Sequence, residues 1–324
     1  VNARKSSRHV SRKKRYHHFG EYLRRTYGKR VQKITIDAGF SCPNRDGTIG
    51  TSGCIYCNNE GFCPNTRRDR SDKWVEKQIA DGIEWGRRRY KAGRFIAYFQ
   101  AYTNTYAPVL ELKELYNCVL DFPKVIGLAI GTRPDCVSPE ILDLIESYNE
   151  FLPEVWIEYG LQSAHDRTLE RINRGHDYNC FVDAVKATAE KKVKICAHII
   201  FGLPGETGED MMTTIERVGS LPIHGIKIHL LHVLRDTPLE KEYAAGRVQL
   251  LERDEYVKLV CDAIERLPEA ILIQRLTGEA PDRVLIAPEW CRDKTGVLED
   301  IDRELERRGA CQGCLSPRRQ DAKT

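Results

Sequence analysis

The chain has 324 residues, 41% apolar and 30% charged, with twelve cysteines and a net charge of +4. That length supports one large domain or two ordinary ones. No apolar run approaches the roughly 20 residues needed to cross a bilayer, and the start lacks the apolar stretch of a secretory signal peptide. The expected compartment is therefore the cytoplasm, where twelve cysteines read as one metal cluster plus small buried residues rather than as a disulfide framework.

In chain order, a basic segment comes first. Residues 1–33 hold twelve Lys or Arg against one acid, Glu21, so this segment is +11 and the overall +4 leaves the remainder at −7. Such an arm suits a polyanion, whose counterions each phosphate contact releases; the bland alternative is a solvated, disordered tail. Tyr16, Tyr22 and Tyr27 interleave its cations as candidate stacking partners for bases.

Lys33–Ala38 reads as a strand, followed by a Gly- and Cys-rich loop to about Asn65. Ser71 can cap a helix to about Arg89; Phe95–Ala101 is then a strand and Pro108–Asp121 a helix. Val125–Gly131 is a strand, and Ser138 caps a helix to about Tyr148. Strands follow at Val155–Leu161, Val193–Phe201 and Ile226–Leu234, with two helical pieces before Lys192 and one at Asp210–Ser220. The strands are mostly apolar, as when both faces are covered. Six such repeats imply a parallel sheet with right-handed crossovers, in an incomplete rather than an eight-fold barrel. Helices at about Arg253–Leu267 and Val297–Arg308, with a strand at Ile271–Arg275, form a C-terminal extension. The expected divisions are a basic arm at 1–15, a core at 16–235, the extension at 236–310 and a polar tail at 311–324.

Chemistry concentrates in the cysteine loop. Cys54 and Cys57 form a C-x-x-C that lets two thiolates reach one metal or cluster, and Gly47, Gly50 and Gly53 permit the reversals that bring Cys42 alongside. Three thiolates are one short of the usual four for a [4Fe–4S] cluster. A structural zinc is the alternative, with Cys63, His17 or His18 as fourth ligand. Position favours the cluster, since the loop follows the first strand, at the carboxyl end where such sheets place active sites. Tyr56, between the paired cysteines, is placed to lie against an adenine. Cys311 and Cys314 form a second C-x-x-C, a weaker candidate for metal because it lacks two ligands.

The loop, with eleven residues and then two between its cysteines, resembles that of radical S-adenosylmethionine (SAM) enzymes, whose commonest spacing is three and two. Further ordered stretches carry the resemblance: YFQAYTNTYAP, GTRPD, EYGLQS, LERINRGHD, HIIFGLPGET, GIKIHLLHVLRDTPL and RLTGEAP. From about Tyr16 to Arg308 the chain resembles the HemN-like and elongator-like branch, and most closely the YhcC/YtqA group. The resemblance implies a partial (β/α)6 TIM-like barrel with a C-terminal α/β extension, a [4Fe–4S] cluster on Cys42, Cys54 and Cys57, and SAM bound to the fourth iron. It further implies that reduction cleaves SAM to methionine and a 5′-deoxyadenosyl radical, and that an electron donor of the flavodoxin or ferredoxin type is needed.

The same resemblance nominates cofactor-binding residues. Gln100 and Ala101 stand where the family places a GGE-like element, with backbone carbonyls as the expected contacts. Arg133 ends the third strand, and Glu158 and Gln162 lie on the fourth; these suit the SAM ribose and carboxylate. Arg174 is similar to an Arg that engages that carboxylate, Gly202 opens the element beneath adenine, and His198 is its inward neighbour. The alternatives are satisfaction of buried backbone groups for Glu158 and Gln162 and an exposed helix face for Arg171 and Arg174. His229 and His232 are candidates to face substrate. The leading substrate expectation is the C5 side chain of a tRNA wobble uridine, reached through the basic arm. The alternatives are a tetrapyrrole or other small carboxylate, and a non-enzymatic iron–sulfur RNA-binding or sensing protein.

Overall fold

Strand and helix alternate along the chain, and the computed structural model describes residues 14–58, 74–278 and 280–316. The strands are β1 (Val31–Ile36), β2 (Arg94–Phe99), β3 (Val125–Thr132), β4 (Glu154–Gln162), β5 (Lys194–Phe201), β6 (Gly225–Leu230), β7 (Val233–Leu234), β8 (Leu272–Arg275) and β9 (Leu285–Ala287). The helices are α1 (Phe19–Tyr27), α2 (Trp74–Tyr90), α3 (Val109–Asn117), α4 (Pro139–Ser147), α5 (Asp166–Arg171), α6 (Tyr178–Ala189), α7 (Gly208–Gly219), α8 (Pro238–Ala244), α9 (Arg253–Arg266) and α10 (Lys294–Arg307). Strands β1 to β6 pair in sequence order, β8 adds beside β6, and all seven are parallel. The result is a curled half-barrel. The expected partial barrel is present, and the C-terminal segment supplies its seventh strand.

Two faces of this sheet have opposite chemistry. Outward positions, such as Ile34, Ile36, Phe95, Phe99, Ile130, Ile157 and Ile199, are buried in the main core under the helices. Inward positions near the strand starts, Ile96, Trp156, Cys196 and Leu272, pack with Phe19 and Leu23 of α1. Higher on the inward face come Lys33, Tyr98, Glu158, His198 and Lys227, so above its apolar base the inward face is polar. A half-barrel needs something to close its concave base, and α1 does this; the Phe19 ring meets Trp156 edge-on at 5.3 Å.

The open edges are also tied. His18 forms a parallel bridge with Ile273, whose N–H donates to His17 O at 2.9 Å. Gln312 is a staple: its Oε1 accepts from His17 N at 2.8 Å, while its Nε2 donates to the Pro268 and Ile271 carbonyls at 2.7 and 2.8 Å.

Several expectations change. No helix was expected at 19–27, where the run of cations hid the apolar spacing. Tyr22 and Tyr27 do not await bases: both hydroxyls donate to the buried Glu154, at 3.0 and 2.7 Å, and Tyr16 is itself buried. The helix expected to reach Asp121 ends at Asn117 and tightens into a 3-10 turn over Cys118–Asp121. The strand expected through Leu234 breaks after Leu230, and Val233–Leu234 pair antiparallel with β9 instead. Ser138 caps α4 as expected, accepting from Ile141 N at 3.4 Å. Arm residues 1–13, Cys63, Ser71 and tail residues 317–324 lie outside the described residues.

Candidate active site

The cysteine loop owes its shape to backbone geometry. Arg45 and Asp46 N–H both donate to Cys42 O, Ile49 N–H to Pro43 O and Gly53 N–H to Asn44 O, the last at 2.7 Å. Gly47 and Gly53 have φ of +97° and +70°, the left-handed region that only glycine enters without strain. The turn before Arg174 anchors the loop from the other side. Ile55 N–H donates to Ile172 O at 3.1 Å, Asn173 Nδ2 to Gly53 O at 2.7 Å and Asn44 Nδ2 to Asn173 O at 2.6 Å.

These constraints bring Cys42, Cys54 and Cys57 onto the wall of one cavity of about 220 Å³ at the carboxyl ends of the strands. Tyr56, Gln100, Arg133, Glu158, Gln162, Arg174 and His198 line it too, as do His229 and His232. Two nominated residues do not. Ala101 is buried beside the wall, and Gly202 turns away beneath Leu251, its N–H 3.3 Å from Met211 Sδ.

The donor set suits a cluster better than zinc. Thiolates around one zinc at about 2.3 Å stand roughly 3.8 Å apart. Among the described residues, the one trio of metal-binding atoms within 4.8 Å of one another is Glu158, Cys196 and His198, not the three cysteines. Thiolates on separate irons are spaced more widely. The suggested fourth zinc ligands His17 and His18 are at the β8 edge, away from this wall. Cys54 Sγ accepts from Arg174 Nη1 at 3.7 Å and Asn44 Nδ2 at 3.8 Å, which fix the position of its sulfur. Burial and then Cys54 push Cys57 up to about 11, against the pull of Arg45. A coordinating metal holds such a thiol deprotonated. Cys311 and Cys314 are exposed and join no trio of metal-binding groups among the described residues.

Beside the cysteines is a small polar cradle. A Cβ on Gly160 would lie 2.8 Å from Gln162 Nε2 and 2.9 Å from Arg174 Nη2, so the amide and guanidinium converge where that residue has no side chain. Gln162 has φ +84°, a conformation costly for a non-glycine residue that tends to mark functional sites. Arg174 is buried and donates to Gly160 O through Nε at 3.2 Å and also through Nη2. Burial opposes its charge, but Cys54 and Tyr56 outweigh that and raise its pKa. Arg133 is paired with Asp135 at 2.7–2.8 Å and donates to Arg174 O at 2.9 Å, so it holds Arg174 in place.

Glu158 is engaged by protein on both oxygens. Lys33 pairs with Oε1, while Lys227 and His198 Nε2 reach Oε2, the latter at 2.8 Å. Burial alone would raise its pKa; Lys227 and Lys33 outweigh that and hold it well below the usual carboxylate range. It remains on the cavity wall, with both oxygens held by protein groups. Sequence reasoning missed both lysines. Each stands between buried isoleucines or beside one on its strand, and a lysine in such a run is rare enough to have been a signal.

Residues 45–218 match the Radical SAM superfamily and residues 223–307 the Radical_SAM C-terminal domain. The chain is 43% identical to the uncharacterized protein YtqA of Bacillus subtilis, over 93% of this chain and 92% of that one. The chain belongs to the radical SAM superfamily. Members use a [4Fe–4S] cluster and SAM, so the half-barrel is that of a radical SAM enzyme. The superfamily match begins three residues after Cys42, leaving that ligand assignment to the loop geometry.

Two likenesses are more distant. A tRNA uridine(34) acetyltransferase of Methanocaldococcus infernus is 22% identical over 59% of this chain and 35% of its own. The solved structure of Methanocaldococcus infernus Elp3 superposes with a TM-score of 0.62 at 16% identity, covering 87% of this chain. This chain spans 64% of that protein, somewhat under two thirds, and the likeness is one of fold. No helix among the described residues is long and apolar enough to cross a membrane.

Proposed function

We propose that this radical SAM enzyme modifies the C5 side chain of a tRNA wobble uridine, with its cluster on Cys42, Cys54 and Cys57 and SAM in the adjoining cavity. The convergence of three cysteine side chains on one internal cavity carries the reading of the site. When bound, cluster and SAM together supply a reducing electron and an organic radical able to take hydrogen from an unactivated C–H bond. The chain's part is orientation and exclusion of water. Gln162 and Arg174 are positioned to hold the polar end of SAM, Tyr56 to lie along its adenine, and Arg133 and Asn173 to fix them. The buried pairing of Glu158 with its lysines keeps the inner wall rigid.

Two observations support tRNA as the substrate. One is the similarity to a protein named as a tRNA uridine(34) acetyltransferase. The other is the exposed cations Arg24, Arg25, Lys29 and Arg30, continuous in sequence with the basic arm, an electrostatic footprint for a polyanion. A reducing donor of the flavodoxin or ferredoxin type completes the system. The test is to incubate reconstituted enzyme, SAM and reductant with tRNA, then digest and weigh the nucleosides. A mass change confined to a wobble uridine is expected; unaltered nucleosides beside turnover of SAM would contradict the tRNA assignment.

A further inference from the structure

One end of the cavity is not used by that reading. β8 pairs with β6 out of simple register: Ile226 faces Ile273, but Lys227 faces Arg275, skipping Gln274. An irregularity of this kind re-aims a side chain, and Arg275 consequently stands on the cavity wall. Its guanidinium has no hydrogen bond or ion pair with any described residue.

His229, two residues along β6 from Lys227, and His232, just past the strand, share this wall. The Nε2 atoms of both are buried without a partner. Gly278 borders them: a Cβ there would lie 3.1 Å from His232 Cε1 and 3.7 Å from His229 Nδ1, so both imidazoles edge one small space. His198 is adjacent, with its ring centre 5.3 Å from that of His229. Burial lowers all three rings, His198 and His232 to about 4, and they are neutral at pH 7.

Among the described residues, the charges acting at this end are Lys227 and Arg275 against the carboxylate of Glu158, which Lys33 and Lys227 already hold. A half-buried guanidinium with no counter-ion among the described residues is costly. Its planar fork matches two oxygens of a carboxylate, with a neutral imidazole free to add a third donor. A planar terminal carboxylate fits this donor set. The geometry points to a carboxylate-binding subsite formed by Arg275, His229 and His232, which takes an acidic group of the substrate. It rests on the reading of this cavity as the place where SAM and substrate meet.

Acetate is the probe and acetamide its neutral isostere, titrated at constant ionic strength into the reconstituted enzyme by calorimetry and by thermal midpoint. Acetate is expected to bind and raise the midpoint while acetamide does neither. Arg275→Gln is expected to weaken acetate by at least about tenfold, Arg275→Lys to restore part of it, and both to bind SAM like the wild type. Equal responses to acetate and acetamide in the wild type would overturn the subsite, as would an undiminished acetate response in Arg275→Gln. The titrations are run with and without SAM, so a failure of SAM binding contradicts the wider reading separately.

Discussion

Glu158, with no exposed surface, sits between Lys33, Lys227 and His198. Buried charges of this kind are stable only as a set, and the neighbouring imidazoles stay neutral because they share the same dry wall. This has a pH consequence. His198 and His232 titrate near 4 in the folded chain against about 6.5 in an unfolded one. Between those values the unfolded state binds more protons, so their contribution is full above about 6.5 and is lost as pH falls toward 4. Urea unfolding of the apoprotein should show a loss on the order of 2 kcal/mol per ring between pH 7 and pH 5. His232→Gln should flatten the profile; an identical slope in that variant would contradict the assignment. The cysteine loop was legible from sequence because its meaning is local, three cysteines spaced by glycines. Lys33, Lys227 and Arg275 were not, since their roles depend on which strand face turns inward and on a register shift between β6 and β8.

At the scale of elements, alternation of apolar runs with helical periodicity located every strand of the large sheet, with errors at the ends. The ends were set by tertiary contacts, as where Val233 and Leu234 pair with β9 rather than extending β6. The element missed outright, α1, has its signal in plain view: Phe19, Tyr22, Leu23 and Tyr27 fall at helical spacing, and the adjacent Arg24 and Arg25 diverted attention to charge. α1 fills the concave base of the half-barrel through Phe19 and Leu23 against Trp156 and Leu272. Phe19→Ala should therefore cost about 3 kcal/mol in denaturant unfolding, as for a core aromatic. A cost below about 1 kcal/mol, typical of exposed positions, would return α1 to the status of a surface arm.

For the molecule as a whole, the sheet divides labour between its faces. The outer face supplies the apolar core beneath the helices, and the inner face supplies a polar wall that rises from the α1 plug through Glu158 to the cysteines. The seventh strand, contributed late in the chain, brings Gln274 and Arg275 to that wall; Lys33 of the first strand donates to Gln274 Oε1 at 2.7 Å, linking the two edge strands. Every role assigned to the cavity depends on the three-cysteine ligand set, and Cys42 is the member that stands apart, twelve residues from Cys54 and outside the superfamily match. The most direct measurement is anaerobic reconstitution of the wild type and Cys42→Ala with iron, sulfide and SAM, then dithionite reduction and mass-spectrometric detection of 5′-deoxyadenosine. The wild type should form a cluster and release 5′-deoxyadenosine, while Cys42→Ala should lose the cluster's absorption and give none. An intact cluster and undiminished product in Cys42→Ala would contradict the account at its centre.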